Sequence, residues 1–129
     1  MRPVIIDSGG GNLASLQYAL ERLGVQAPVT ATPDEVSKAS HVILPGVGSA
    51  ADAMRRLKNA GITDVLPQLE QPVLGICLGM QLLFARSEEG DTDCLGIIPG
   101  SVQLLEAQPG LPVPHMGWNQ VSIRQREPL

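Results

Sequence analysis

The chain has 129 residues, enough for one domain with a sizeable core. Hydrophobic residues make up 43% but aromatics only 2% (Tyr18, Phe84 and Trp118), so the core must be aliphatic. The formal net charge of −4 comes with no basic stripe, which argues against nucleic acid as a partner, and no apolar run reaches the ~18 residues of a membrane span.

Met1 runs directly into a strand-like segment with no leader pattern ahead of it. Val4-Ile5-Ile6 reads as a short buried strand ending at Asp7. Ser8-Gly9-Gly10-Gly11-Asn12 is a glycine-rich turn with Asn12 placed to cap a helix. Leu13, Leu16, Leu20 and Leu23 recur at helical spacing, and Gly24 stops that helix. A second strand is expected across Val25 to Val29. Thr32-Pro33-Asp34-Glu35 has the form of a capping box with proline at the first helical position, and opens a short helix. His41-Val42-Ile43-Leu44 is a third strand, closed by Pro45-Gly46-Val47-Gly48. Ser49 caps a helix to about Asn59, with Met54 and Leu57 on its inner face. Pro72 to Ile76 is the fourth strand, and Leu78 to Ala85 its helix.

This alternation predicts a doubly wound, mostly parallel α/β sheet with helices on both faces. The rhythm changes after Ser87. Glu88 to Asp93 is a charged loop, expected to be solvated, since no ligand spacing or paired histidine supports a metal there. Leu95 to Gly100 and Val102 to Leu105 look like strand pieces, and Val121 to Arg124 alternates like a strand of an antiparallel section.

Chemistry concentrates at residues 73–84. The run Gly75-Ile76-Cys77-Leu78-Gly79 joins a strand pattern to a helix pattern, which is the form of a nucleophile elbow with cysteine in place of serine. Glycines two residues either side of Cys77 suit a tight turn with crowded backbone. A helix N-terminus beneath such a turn favours thiolate over thiol. The competing reading, a buried structural cysteine in a strand, does not account for both glycines.

Pro45-Gly46-Val47-Gly48 follows a parallel strand, where ligands collect in open sheets, and its backbone N–H groups could face a developing oxyanion. Ser8–Asn12 lacks the spacing of a dinucleotide fingerprint and reads first as a tight βα turn, with phosphate cradling as the other use of such a loop. A cysteine nucleophile ordinarily needs an imidazole in reach. The two histidines are His41, which reads as structural at the entry of a strand, and His115, which is the better placed but is not assigned the base. Cys77 and Cys94 make neither a disulfide framework nor a zinc spacing, which suits a reducing cytoplasm.

Together these segments resemble the class I glutamine amidotransferases over essentially the whole chain. Gly11-Asn12 matches the family's first loop, Leu44 to Gly48 its oxyanion strand, and Gly75 to Leu83 its elbow. Met80, with the run Pro114-His115-Met116-Gly117-Trp118-Asn119, points to members that pass ammonia to a separate cyclase subunit, a (β/α)8 barrel, in histidine biosynthesis. The resemblance implies a flavodoxin-like fold and a glutaminase chemistry. Cys77 is then the nucleophile. Val47, Gly48 and Leu78 supply the oxyanion hole, and Gly46 and Gln81 hold glutamine. Asn12, His115, Met116, Gly117, Trp118 and Asn119 face the partner, and no metal or organic cofactor is implied.

The chain departs from the family by having no His-Pro-Glu motif, the source of its catalytic His and Glu. The expectation is therefore a single amidotransferase domain over 1–129, incomplete at the C-terminus and corresponding to about the first two-thirds. Two other readings stay open: a binding subunit impaired in turnover, and a cysteine hydrolase of another flavodoxin-like family that also uses an elbow.

Overall fold

A computed structural model describes residues 1–124. Four parallel strands, β1 (Pro3–Ile6), β2 (Val29–Thr30), β3 (His41–Gly46) and β4 (Val73–Cys77), form a sheet in the order β2-β1-β3-β4. This is the strand order of flavodoxin-like sheets as far as it runs. Ile5 lies between Val29 and Ile43, and Gly46 lies opposite Cys77.

The pleat sorts the side chains. Val4, Ile6, Val42 and Leu44 point to one face. There they meet Val36 of α2 (Pro33–Ser37), Ala53 and Leu57 of α3 (Ala50–Asn59), Ile62 of α4 (Ile62–Val65), and Leu78 and Leu82 of α5 (Leu78–Leu82). The other face carries Ile5 and Ile43, packed under Leu13, Leu16 and Leu20 of α1 (Leu13–Glu21). That second layer is thin, because no residue of α1 is fully buried. Leu74 pairs with Ile43 in the register and so shares its face. It is 39% exposed, and Ile76 beside it 37%.

Capping explains the helix starts. Asn12 Oδ1 accepts from Ser15 N at 3.0 Å, and Ser49 Oγ accepts from Asp52 N at 3.3 Å. In α3, Asp52 sits in the first turn, and Arg56 and Lys58 in the last, which complements the helix dipole. Pro33 takes the first helical position, but the expected capping box does not form. Thr30, buried in β2, needs a partner for its hydroxyl and donates it to the Glu35 carboxylate, which draws Glu35 away from the cap.

Four further expectations are corrected. The second strand is only Val29–Thr30, because Val25 N bonds Leu20 O and so belongs to the exit of α1. Helix α5 ends at Leu82 rather than Ala85, and Phe84–Ser87 is strand β5. The expected loop Glu88–Asp93 contains a 3-10 turn, Glu89–Asp91, and strand β6 (Thr92–Asp93). Strand β5 pairs antiparallel with β6 and parallel with β7 (Ile98–Val102), and this second sheet recruits the apolar Leu83-Phe84 that helical spacing alone would have extended. Arg86 ties the turn down by pairing with both Asp91 and Asp93. Finally, Val121–Arg124 forms no strand: its alternation finds no neighbouring edge, and all four residues are exposed. Among the described residues, no helix is long and apolar enough to cross a membrane.

Candidate functional site

Cys77 ends β4 and caps α5, with φ 55° and ψ −119°. A positive φ at a residue with a side chain costs of order 1–3 kcal/mol, and such strain collects at functional sites. The surrounding backbone leaves room for little else. A Cβ on Gly75 would lie 2.6 Å from Met80 Cα, one on Gly79 1.8 Å from Leu44 O, and one on Gly46 2.9 Å from Gly79 N. The three glycines therefore let the first turn of α5 lie against the ends of β3 and β4. Their absent side chains hold Cys77 at the surface, where its thiol is free and exposed.

Because Gly46 is opposite Cys77, the loop that follows β3 runs beside the thiol. Val47 and Gly48 occupy it, both exposed, with Gly48 at φ 89°. Leu78 and Gly79 open a helix, so their N–H groups have no partner within it. The candidate oxyanion donors thus border the thiol from two sides. The Ser8–Asn12 loop closes the crevice from β1. It is built as a turn: Asp7 Oδ1 accepts from Gly9 N at 2.9 Å, and Gly9 and Gly11 have positive φ. Val47 packs on Gly10, where a Cβ would meet its Cγ2 at 2.9 Å.

Gln81 stands one helical turn beyond Cys77 and lines a cleft of about 570 Å³ with Ser87, Glu88, Glu89, Val102, Gln103 and Leu104. Here the fold adds residues that sequence reasoning passed over as a solvated loop. Glu88 Oε2 accepts from Leu104 N at 2.9 Å, and Glu89 N donates to the buried Ser87 Oγ at 3.2 Å. Glu89, exposed, lines the same cleft as Gln81. No periodicity links positions 81 and 89, because strand β5 intervenes.

The histidines lie elsewhere. His41 begins β3 and Gly46 ends it, a separation of about 16 Å at strand rise. His115 Nε2 lies 3.3 Å from Asn119 Nδ2, in a segment where Leu105, Gln108, Leu111, Val113 and Met116 form their own shallow cleft. Met116 is largely exposed and Trp118 fully in solvent, so Trp118 is not a core residue. Asn12, at the head of α1, is exposed as well.

The family profile of Glutamine amidotransferase class-I matches residues 4–128. The chain belongs to the class I glutamine amidotransferases. Among similar proteins is the imidazole glycerol phosphate synthase subunit HisH of Xanthomonas campestris pv. campestris, 56% identical over 117 residues, covering 91% of this chain and 58% of the relative. The subunit of that name in Xylella fastidiosa is 52% identical over 125 residues, 97% of this chain and 62% of the relative. HisH 2 of Legionella pneumophila is 56% identical over 125 residues, 97% and 63%. The chain therefore spans about 60% of the length of these relatives. A solved crystal structure of a glutamine amidotransferase superposes with a TM-score of 0.66 at 21% identity, over 78% of this chain and 55% of that one, a likeness of fold alone.

Proposed function

We propose that the chain carries the nucleophile of a glutaminase that hydrolyses glutamine and passes the ammonia to the cyclase subunit of imidazole glycerol phosphate synthase, in histidine biosynthesis. The observation that carries this reading is Cys77, held at positive φ between β4 and α5 with Gly46 opposite it. Its sulfur attacks the side-chain amide carbon of glutamine, a C–S bond forms, and the carbonyl electron pair moves onto oxygen. The N–H groups of Leu78 and of the Val47–Gly48 segment take up that charge. Collapse of the adduct breaks the C–N bond, ammonia leaves, and water hydrolyses the thioester to glutamate. Gly46 and Gln81 hold the substrate, and Glu89, with its carboxylate in the same cleft, is the group to receive the substrate's ammonium. Asn12 and the His115–Asn119 run form the surface toward the cyclase.

One observation favours a second reading for these 129 residues, in which the chain binds the cyclase and presents a reactive thiol but turns glutamine over poorly. Protonating the leaving amine and activating water are general acid–base steps worth roughly 10²–10⁴-fold. His41 stands at the far end of β3, and His115 bonds within its own segment.

The test assays glutamate release by the 129-residue chain with the cyclase present, beside Cys77→Ala, together with labelling by a glutamine-analogue electrophile. We expect labelling of Cys77 and glutamate release at least ~10²-fold below that of a full-length relative. An unlabelled Cys77 would sink the glutaminase reading. A rate near the full-length one would show that another group moves the proton, with His115→Ala the next variant. Titration with the cyclase, followed by Trp118 fluorescence, tests the partner surface. No spectral change and no co-elution would count against it.

A further inference from the structure

We infer that Ser8 is a positioning residue for the oxyanion loop: its buried hydroxyl, donated to the Pro45 carbonyl, sets the path of Gly46-Val47-Gly48 beside Cys77. This rests on the glutaminase reading above and adds a residue to it.

Ser8 is 4% exposed, and its Oγ donates to Pro45 O at 2.7 Å. The two residues are 37 positions apart: Ser8 lies in the loop leaving β1, and Pro45 is the last residue but one of β3. The register explains why this carbonyl needs a partner. The β1–β3 ladder ends at Ile5 opposite Ile43, two residues short of Pro45. Pro45 is buried and has no N–H, so its carbonyl is its one backbone hydrogen-bonding group. The Ser8 hydroxyl takes the place of the next rung. It thereby fixes the plane of the peptide that leads into Gly46, and so the direction in which the N–H groups of Val47 and Gly48 leave the strand.

A second contact acts on the same loop from the same side. A Cβ on Gly10 would fall 2.9 Å from Val47 Cγ2 and 3.2 Å from Val47 O. The β1 loop thus holds Pro45 by a hydrogen bond and Val47 by close packing, while α5 holds Gly46 from the opposite side through Gly79. Removing the hydroxyl leaves a buried carbonyl unpaired and releases one of these holds.

The experiment separates thiol reactivity from oxyanion stabilisation. The chain is acylated at Cys77 with the γ-para-nitrophenyl ester of glutamic acid: sulfur bonds to the γ-carbon, the ester C–O bond breaks, and para-nitrophenolate departs without needing a general acid. The same protein is alkylated with iodoacetamide, a displacement at a saturated carbon in which no oxyanion forms. We expect Ser8→Ala to slow acylation about tenfold, less than the roughly 10²–10³-fold cost of deleting an oxyanion donor, and to leave the alkylation rate of Cys77 unchanged. Ser8→Thr, which keeps the hydroxyl, should restore acylation. Gly10→Ala, which displaces Val47 without touching Ser8, should slow acylation selectively as well. Equal slowing of both reactions by Ser8→Ala, or slowing of neither, would overturn the inference, since a general loss of structure would not discriminate between the two reagents. Absence of Cys77-dependent acylation in the unsubstituted chain is a different result: it would remove the glutaminase reading itself and the role of Ser8 with it.

Discussion

A single missing β-carbon decides whether the elbow can form. A Cβ on Gly79 would sit 1.8 Å from the Leu44 carbonyl oxygen, a backbone atom that cannot swing aside as a side chain would. Gly79→Ala must therefore push α5 off β3. We expect it to cost about 2 kcal/mol or more, at the upper end of what overpacking costs, read as a lowered urea midpoint. A change under about 0.5 kcal/mol would mean that the contact is not held in solution. The two thiols differ at this scale as well. Burial, and then the neighbouring Asp93 carboxylate, push the Cys94 thiol up, while a backbone hydrogen bond at Ser87 opposes them in part. The reactive form is the thiolate, so a raised value leaves Cys94 less reactive than an ordinary cysteine at neutral pH, a deficit that closes as the pH rises past the ordinary thiol range. Iodoacetamide should then modify the exposed Cys77 first at neutral pH, with Cys94 following at alkaline pH, as read by peptide mass spectrometry. Equal labelling at neutral pH would contradict this.

Among the elements, α1 is the most dependent on local terms. It buries no residue completely and contributes only Leu13, Leu16 and Leu20 to the thin second layer. Its start hangs on Asn12, whose side chain accepts from Ser15 N. Asn12→Ala should cost about 1 kcal/mol in chemical denaturation, a typical value for a lost N-cap. If the partner reading holds, it should also weaken cyclase binding beyond what that destabilisation explains. Asn12 and Ser49 were both legible as caps, because a cap needs only the residue and the turn that follows it. Thr32 was not, because its box competes with Thr30, whose burial comes from β2 and not from any neighbour in sequence. The boundary of α5 was misplaced for a related reason. Leu82-Leu83-Phe84 satisfies a helical period and a strand alike, and the presence of β6 and β7 settles the matter.

For the molecule as a whole, the two faces of the main sheet are unequal. One carries α2 to α5, while the other leaves Leu74 and Ile76 more than a third exposed on β4, whose outer edge has no strand beside it among the described residues. That edge strand, Val73–Cys77, carries no charge. An uncharged, apolar, unpaired edge is a template for pairing with another chain. We expect the 129-residue chain to self-associate with rising concentration in sedimentation velocity runs, and Leu74→Lys to reduce the association. A chain that stays monomeric at high micromolar concentration and unfolds in one sharp transition of ordinary stability would contradict this.

Composition and spacing alone carried the aliphatic core, the alternation of strand and helix, the glycine-flanked Cys77 and the caps at Asn12 and Ser49. All of these depend on residues within a turn or two of one another, so periodicity and local sterics express them. The crevice itself comes from topology. The second sheet, through the turn Glu89–Asp91, brings Glu89 to the cleft with Gln81, and strand order β2-β1-β3-β4 sets Gly46 opposite Cys77 and brings Ser8 to Pro45. It also leaves His41 at the far end of β3 and His115 in a segment of its own. These pairs are distant along the chain, and hydrophobic period states which face a residue occupies without stating which strand will lie beside it. Only the assembled sheet, by burying some neighbours and exposing others, chooses among the strand orders that the same pattern permits.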